Sequence, residues 1–181
     1  YMSLPIITMT TFIFLYNPSV KDVLYGTASN NASSGGFGPN QVSTVLGLGM
    51  FCLVVRLFMK SPTLFLKIVN LLLLGAITFR CIVTFSRSGT AAAVIVIAAF
   101  LYSLFSKSNA KQMSQIMGSF IIMTILLIIT WSISSNQTRG LIDMRYLNLD
   151  SKGNEKADIT TGRIDLFNDC LLYTSDAADD L

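Results

Sequence analysis

The sequence predicts an all-α, polytopic membrane protein, and three observations lead there. Over 181 residues the chain is 52% apolar and only 13% charged, with a mean hydropathy of +0.60, whereas a soluble domain carries charge at roughly a quarter of its positions. Four stretches, about 41–59, 63–84, 88–106 and 116–134, are mostly apolar and match the roughly 20 residues a helix needs to cross a bilayer. The charges are also segregated. Residues 1–138 hold eight Lys or Arg against one acid, Asp22, while Arg139 to Asp169 holds five against six, so the first part reads as membrane and the second as an aqueous loop.

Taken in order, Met2 to Tyr16 reads as the remnant of a truncated span, followed by the four complete ones. Position 1 is not methionine, and no charged segment precedes a short apolar core, so the start resembles neither a signal peptide nor a true N-terminus. The chain is expected to be an internal fragment. Near the other end, Cys170 to Asp179 resembles the translation of a transposase-type sequencing adapter, and 170–181 is set apart from fold reasoning. The expected organisation is a helix bundle over 1–138, the beginning of a large outer loop over 135–169, and that tail. Cys52 and Cys81 lie in apolar runs and Cys170 stands alone. With no CxxC spacing and no histidine in the chain, neither a disulfide nor a metal site is expected.

Short connectors make neighbouring spans antiparallel. The loop around 56–67 carries Arg56, Lys60 and Lys67, and that at 107–111 carries Lys107 and Lys111, five cations with no acid. By the positive-inside tendency those loops face the cytoplasm. The alternate loops, 17–40 and 80–89, carry Lys21, Arg80 and Arg87 and face outward with the polar stretch after Ile133. Arg80 and Arg87 then sit on the disfavoured side, and a cation beside hydrocarbon is costly, about 2.5–3.5 kcal/mol at mid-bilayer on insertion scales. The plain reading of Arg87 is a helix-end residue snorkelling to the headgroups; its position on the outer side favours a function.

This topology directs three polar segments to one face. Ser33 to Gln41 is glycine-rich and opens a helix, whose free N–H groups suit an anion; Pro39 at the helix start with Asn40 as a cap is the plainer reading. In Thr84-Phe85-Ser86-Arg87-Ser88-Gly89, Ser88 and Gly89 allow a tight turn, and Arg87 offers a planar fork of donors. Ser86 and Ser88 lack a base to make either a nucleophile. Ala91 to Ala93 suits close helix packing. In the third segment Thr161 caps a short helix, with Arg163 in its first turn and Ile164 and Phe167 on an apolar face. Arg139 and Arg145 read as a solvated mixed-charge face neutralised by Asp143 and Asp150. The sequons at Asn31 and Asn136 fit outward segments and carry no assigned role.

These segments resemble the O-antigen ligase and Wzy-type polymerase superfamily of bacterial envelope glycosyltransferases. Gly36 to Ser43 resembles its Gly/Pro-Asn segment before a span. Thr84 to Gly89 resembles its Thr-x-Ser-Arg-Gly turn, and Thr161 to Phe167 resembles Ser-Gly-Arg-x-x-Leu-Trp in its large periplasmic loop, with Phe167 in place of Trp. The resemblance covers about 36–169. It implies a multi-pass protein of the bacterial inner membrane, with its site facing the periplasm, that moves a glycan from undecaprenyl pyrophosphate to lipid A-core or to a growing glycan.

By that resemblance Arg87 and Arg163 bind the pyrophosphate, with Ser86, Gly162 and Asn40 beside them. No metal, nucleotide cofactor or nucleic-acid partner is implied. The family's periplasmic general-base histidine has no counterpart, since the chain has no histidine, and a fragment cut before it is expected to be inactive. The alternative is a transporter or flippase for an anionic or lipid-linked substrate. Against it, the runs 68–79, 88–106 and 112–138 carry no charge, where transporters place groups near the midplane.

Overall fold

The computed structural model describes residues 3–16, 29, 31, 34–59, 63–108, 110–150, 152–155 and 164–171. Each apolar run forms one helix: α1 (Ser3–Tyr16), α2 (Pro39–Met59), α3 (Leu64–Val83), α4 (Arg87–Lys107) and α5 (Ala110–Gln137), followed by the short α6 (Leu141–Tyr146) and by α7 (164–171). Among the described residues the only strand-like feature is a bridge between Leu149 and Glu155. Among the described residues four helices are long and apolar enough to cross a membrane: α2, α3, α4 and Ile116–Gln137 of α5.

The boundaries follow local chemistry. Thr63 caps α3, its hydroxyl accepting from the Leu66 N–H at 3.4 Å, as an N-cap threonine should. Pro39 is the first residue of α2, where its missing N–H costs nothing. α5 outruns its expected span at both ends. No glycine or proline interrupts Ser119 to Arg139, and Thr130 and Ser134 return their hydroxyls to the carbonyls one turn back, both at 2.8 Å, so polar residues stay helical. The helix stops where Arg139 and Gly140 take φ of 55° and 77° and the Gly140 N–H closes on the Ser135 carbonyl at 2.9 Å, a left-handed termination.

α2 is the central helix. Val42, Leu46, Met50, Leu53 and Val54 pack with Leu74, Ile77 and Cys81 of α3, Ala93 and Leu101 of α4, and Met123 of α5. Small residues let α2 and α4 approach: Ser43 and Gly47 face Gly89 and Ala93, each pair four residues apart on one helix face. A Cβ on Gly47 would lie 3.0 Å from the Ala93 Cβ, and one on Gly89 would overlap Ser43. Ala91 and Ala92 are exposed, so only Ala93 of that triplet serves the packing. The outer surface stays apolar, with Ile121, Ile125, Ile128 and Ile129 of α5 and Val94 and Ile95 of α4 all exposed. Such faces fit lipid tails and do not fit water.

Arg80 departs from the sequence expectation. It belongs to the last turn of α3, not to an outer loop, and is only 7% exposed. Its guanidinium lies over the Phe14 ring of α1, 4.1 Å from the centroid, with Phe79 at 5.9 Å. A cation over aromatic faces gains about 0.5–2 kcal/mol, more when desolvated, and a helix C-terminus also favours it. Holding α1 against the bundle is a structural reason for this arginine.

Gly89→Ala is expected to destabilise the bundle by about 1–3 kcal/mol through overpacking, read as earlier unfolding in an SDS titration of the micelle-bound protein. Because the added Cβ meets the Ser43 carbonyl carbon as well as its side chain, Ser43→Gly should restore only part of that loss.

Candidate functional site

The end of the bundle where α2 and α4 begin and α3 and α5 finish carries the polar cluster. The reversal from α3 to α4 takes three residues, 84–86. Thr84 returns its hydroxyl to the Cys81 carbonyl at 2.7 Å, and Phe85 adopts φ 57°. A left-handed conformation costs a non-glycine residue about 1–2 kcal/mol, and complete burial of the Phe85 ring returns about 1.5–3 kcal/mol. The ring packs with Ile82, Val83 and Ile142, flanked by Phe79, Leu141 and Tyr146. The turn is therefore made by Phe85. Ser88 and Gly89, expected to allow it, already lie in α4, and Gly89 serves helix approach instead.

Ser86 ties two of the predicted segments together. Its hydroxyl donates to Asn40 Oδ1 at 2.8 Å and accepts from the Ser43 hydroxyl at 2.8 Å, and its carbonyl accepts from Thr90 at 2.9 Å. Ser86 is 2% exposed, so it acts as a positioning residue and turns no free hydroxyl outward. Asn40 differs from the expected cap: it lies inside the first turn of α2, exposed, with its side-chain carbonyl on Ser86. The N-termini of α2 and α4 thus meet, and both positive dipole ends point at the same region.

Arg87 stands at the first position of α4, half-buried, with Nη1 donating to Asn148 Oδ1 at 3.1 Å. Asn148 has φ 61° and follows α6, which folds back over the turn. Asp143 does not neutralise Arg145. Its carboxylate accepts from Trp131 Nε1 at 3.0 Å and from the Ser135 hydroxyl, while Arg145 donates Nε to the Phe85 carbonyl at 3.3 Å. Burial pushes the Arg145 guanidinium below its ordinary value, and the Arg87 charge pushes the same way. The expected pairing of Arg145 with Asp143 is therefore corrected: the acid is bound to α5, and the Arg145 Nε to the Phe85 carbonyl. Arg139 remains exposed.

Tyr146 rests edge-on against Trp131, ring centroids 5.1 Å apart, and its buried hydroxyl has no partner of hydrogen-bonding geometry among the described residues. Burial pushes the phenol above its usual range, with the Thr90 hydroxyl and the Arg145 and Arg87 charges pulling the other way. Below the site, an apolar groove of about 360 Å³ runs between α2, α3, α4 and α5, from Thr90 and Trp131 at the polar end to Leu101 and Phe120.

The structure brings Asn40, Ser86 and Arg87 together. Gly162 and Arg163, with Thr161, lie outside the described residues; α7 follows them with Ile164 and Phe167 exposed. Sequence reasoning missed Ser43 as a partner, Asn148 entirely, and Arg145 as a neighbour of Arg87. No spacing rule links residues 61 positions apart, as Arg87 and Asn148 are. The fold and this polar end define a class: an all-helical bundle with four helices of membrane-crossing length and a cationic, amide- and hydroxyl-lined end. The chain matches no known family, no curated protein and no solved structure.

Ser86→Ala is expected to cost about 0.5–1.5 kcal/mol, because it removes the hydroxyl that joins exposed Asn40 and buried Ser43 of α2, while Ser43 keeps the Asn40 carbonyl as an acceptor. Combined with Ser43→Ala the losses should not add, since the two share one hydrogen bond; unfolding of the single and double variants measures this. A second expectation concerns pH. The folded chain keeps the Tyr146 proton beyond the unfolded value of about 10, so folded binds more protons than unfolded and stability falls as pH rises through that value. Absorbance at the tyrosinate band should show a late-titrating group that disappears in Tyr146→Phe.

Proposed function

We propose that this chain belongs to a membrane glycosyltransferase of the O-antigen ligase or polymerase type. It would act on a glycan carried by a polyprenyl diphosphate, with the polar end facing the periplasm of a bacterial inner membrane. The observation that carries the reading is the meeting of Asn40, Ser86 and Arg87 from two separate motif-like segments at two helix N-termini. A site with two positive dipole ends and a fixed guanidinium suits a diphosphate. The apolar groove descending from Thr90 and Trp131 suits the chain of a lipid carrier at the same end.

In the reaction, an acceptor hydroxyl oxygen attacks the anomeric carbon, and the bond from that carbon to the diphosphate oxygen breaks with its electrons passing to the diphosphate. The acceptor proton goes to a general base, a role the family gives to a histidine that this chain lacks. Arg87 stabilises charge as it builds on the leaving group, Asn148 holds its fork, and Ser86 holds Asn40 and the turn in register.

Arg87→Lys keeps the charge and removes the fork. Introduced into the source gene, it is expected to lower glycan transfer from a polyprenyl-diphosphate donor by about ten- to a hundred-fold, the value of one charge-assisted hydrogen bond. Isolated membranes with insertion verified are the assay, and unchanged transfer removes Arg87 from the site.

A further inference from the structure

α1 packs against α2 and α3, and none of the three helices carries an acidic residue. Arg80, in the last turn of α3, is nevertheless only 7% exposed among them. The rings of Phe14 and Phe79 attract its charge, but its Nε and Nη1 are enclosed and make no hydrogen bond among the described residues. Asp22, the one acid before Asp143, lies outside the described residues. A charge carried by a membrane span calls for a partner. α3 has 20 residues, a length of about 30 Å that matches the hydrocarbon core of a bilayer, so its last turn sets Arg80 at the level of the lipid phosphates.

Beside Arg80 a groove of about 270 Å³ runs between α1 and α3, walled by Thr10, Thr11 and Phe14 on one side and by Leu73, Ala76 and Ile77 on the other. Arg80 continues the α3 row by one turn and closes the end of the groove, over the Phe14 ring at 4.1 Å. Thr10 and Thr11 return their hydroxyls to the Ile6 and Ile7 carbonyls at 2.7 and 2.9 Å, which leaves the groove with an apolar lining. Leu15 on its rim and Leu72 next to it are exposed, so it opens toward the bilayer. A hydrocarbon slot ending at a cation complements a lipid with an anionic head. A zwitterionic headgroup would bring a second cation to a place that has no acid to balance the first, whereas an anionic one brings only the missing charge.

We propose that the α1–α3 groove is a binding site for an anionic phospholipid, with the lipid phosphate on the Arg80 guanidinium and an acyl chain along Leu73, Ala76 and Thr11. The phosphate oxygens supply charge-assisted acceptors to donors that the protein leaves without one, and the Phe14 ring holds the guanidinium in place to meet them. The site lies on the α1 side of α3, whereas Asn40, Ser86 and Arg87 meet at the N-termini of α2 and α4. It stands or falls independently of the transferase reading.

The test uses the full chain in maltoside micelles, titrated with dioleoyl-phosphatidylglycerol or dioleoyl-phosphatidylcholine, with bound lipid counted by native mass spectrometry. The parent is expected to take phosphatidylglycerol about ten-fold more tightly than phosphatidylcholine, the worth of one charge-assisted hydrogen bond. Arg80→Gln should abolish that preference, and Arg80→Lys, which keeps the charge and loses the fork, should recover part of it. Arg56→Gln removes the same charge from an exposed position in the last turn of α2 and should leave the preference intact, which separates a site from general attraction between the chain and anionic lipid. Ala76→Leu fills the groove without touching the arginine and should weaken binding of both lipids. Circular dichroism confirms that each variant keeps its helices. Equal binding of the two lipids by the parent overturns the proposal, and is the result expected if Asp22 is the counter-ion of Arg80. A preference that survives Arg80→Gln, a preference lost equally in Arg56→Gln, or unchanged binding in Ala76→Leu also overturns it. Displacement of phosphatidylglycerol by excess inorganic phosphate would identify a free anion as the occupant and overturn the lipid site as well.

Discussion

The polar end depends on one contact set, the burial of Phe85 in a left-handed turn. The side chain is fully enclosed, and this burial offsets the cost of φ 57° at a residue with a Cβ. Four consequences follow from that one backbone choice. α3 stops at Val83, α4 begins at Arg87, the Ser86 hydroxyl meets α2, and the Phe85 carbonyl is left to receive Arg145. A helix continuing through residue 85 would carry Arg87 past the end of α2 and away from Asn148.

The second requirement is close helix approach. Ser43 and Gly47 against Gly89 and Ala93 bring the α2 and α4 backbones near enough for hydroxyl-to-hydroxyl bonding between Ser43 and Ser86 at 2.8 Å. In an apolar surrounding, where helices gain little from hydrophobic association, small residues and interhelical hydrogen bonds are the available attractions. The polar cluster and the packing seam are therefore one feature, and the seam's last turn is the site's floor. The outward Ile and Val faces of α4 and α5 take no part in it.

Charge is distributed by the same logic. Three arginines at this end lose water in different settings: Arg80 lies over aromatic faces, with its Nε and Nη1 making no hydrogen bond among the described residues, Arg87 uses an amide, and Arg145 uses a backbone carbonyl. The two carboxylate oxygens of Asp143 go to Trp131 and Ser135, which fastens α6 to α5 and leaves the neighbouring cation uncompensated by its sequence neighbour. That diversion of one acid leaves Arg145 to the Phe85 carbonyl.

The elements were legible in the chain because span length, apolar runs and charge segregation are local or compositional properties. The four long helices, their antiparallel order and the nearness of the 36–43 and 84–89 segments all follow from short connectors between apolar runs. Residue roles within the end were less legible. Gly89 and Ser88 looked like the turn, Asn40 like a cap, Arg80 like an outer cation and Arg145 like half of a local ion pair. Each was decided by a partner at least 12 positions away, or by an acid already engaged elsewhere: Ser43 for Gly89, Ser86 for Asn40, Phe14 for Arg80, and Trp131 with Ser135 for the acid beside Arg145. The sequence alone determined that this is a bundle of apolar helices with polar turns, because periodicity and transfer energy act residue by residue. Only the tertiary structure decided which polar groups meet and which acid is drawn away from the arginine beside it in sequence, because those outcomes depend on distances between atoms that the chain order does not bring together.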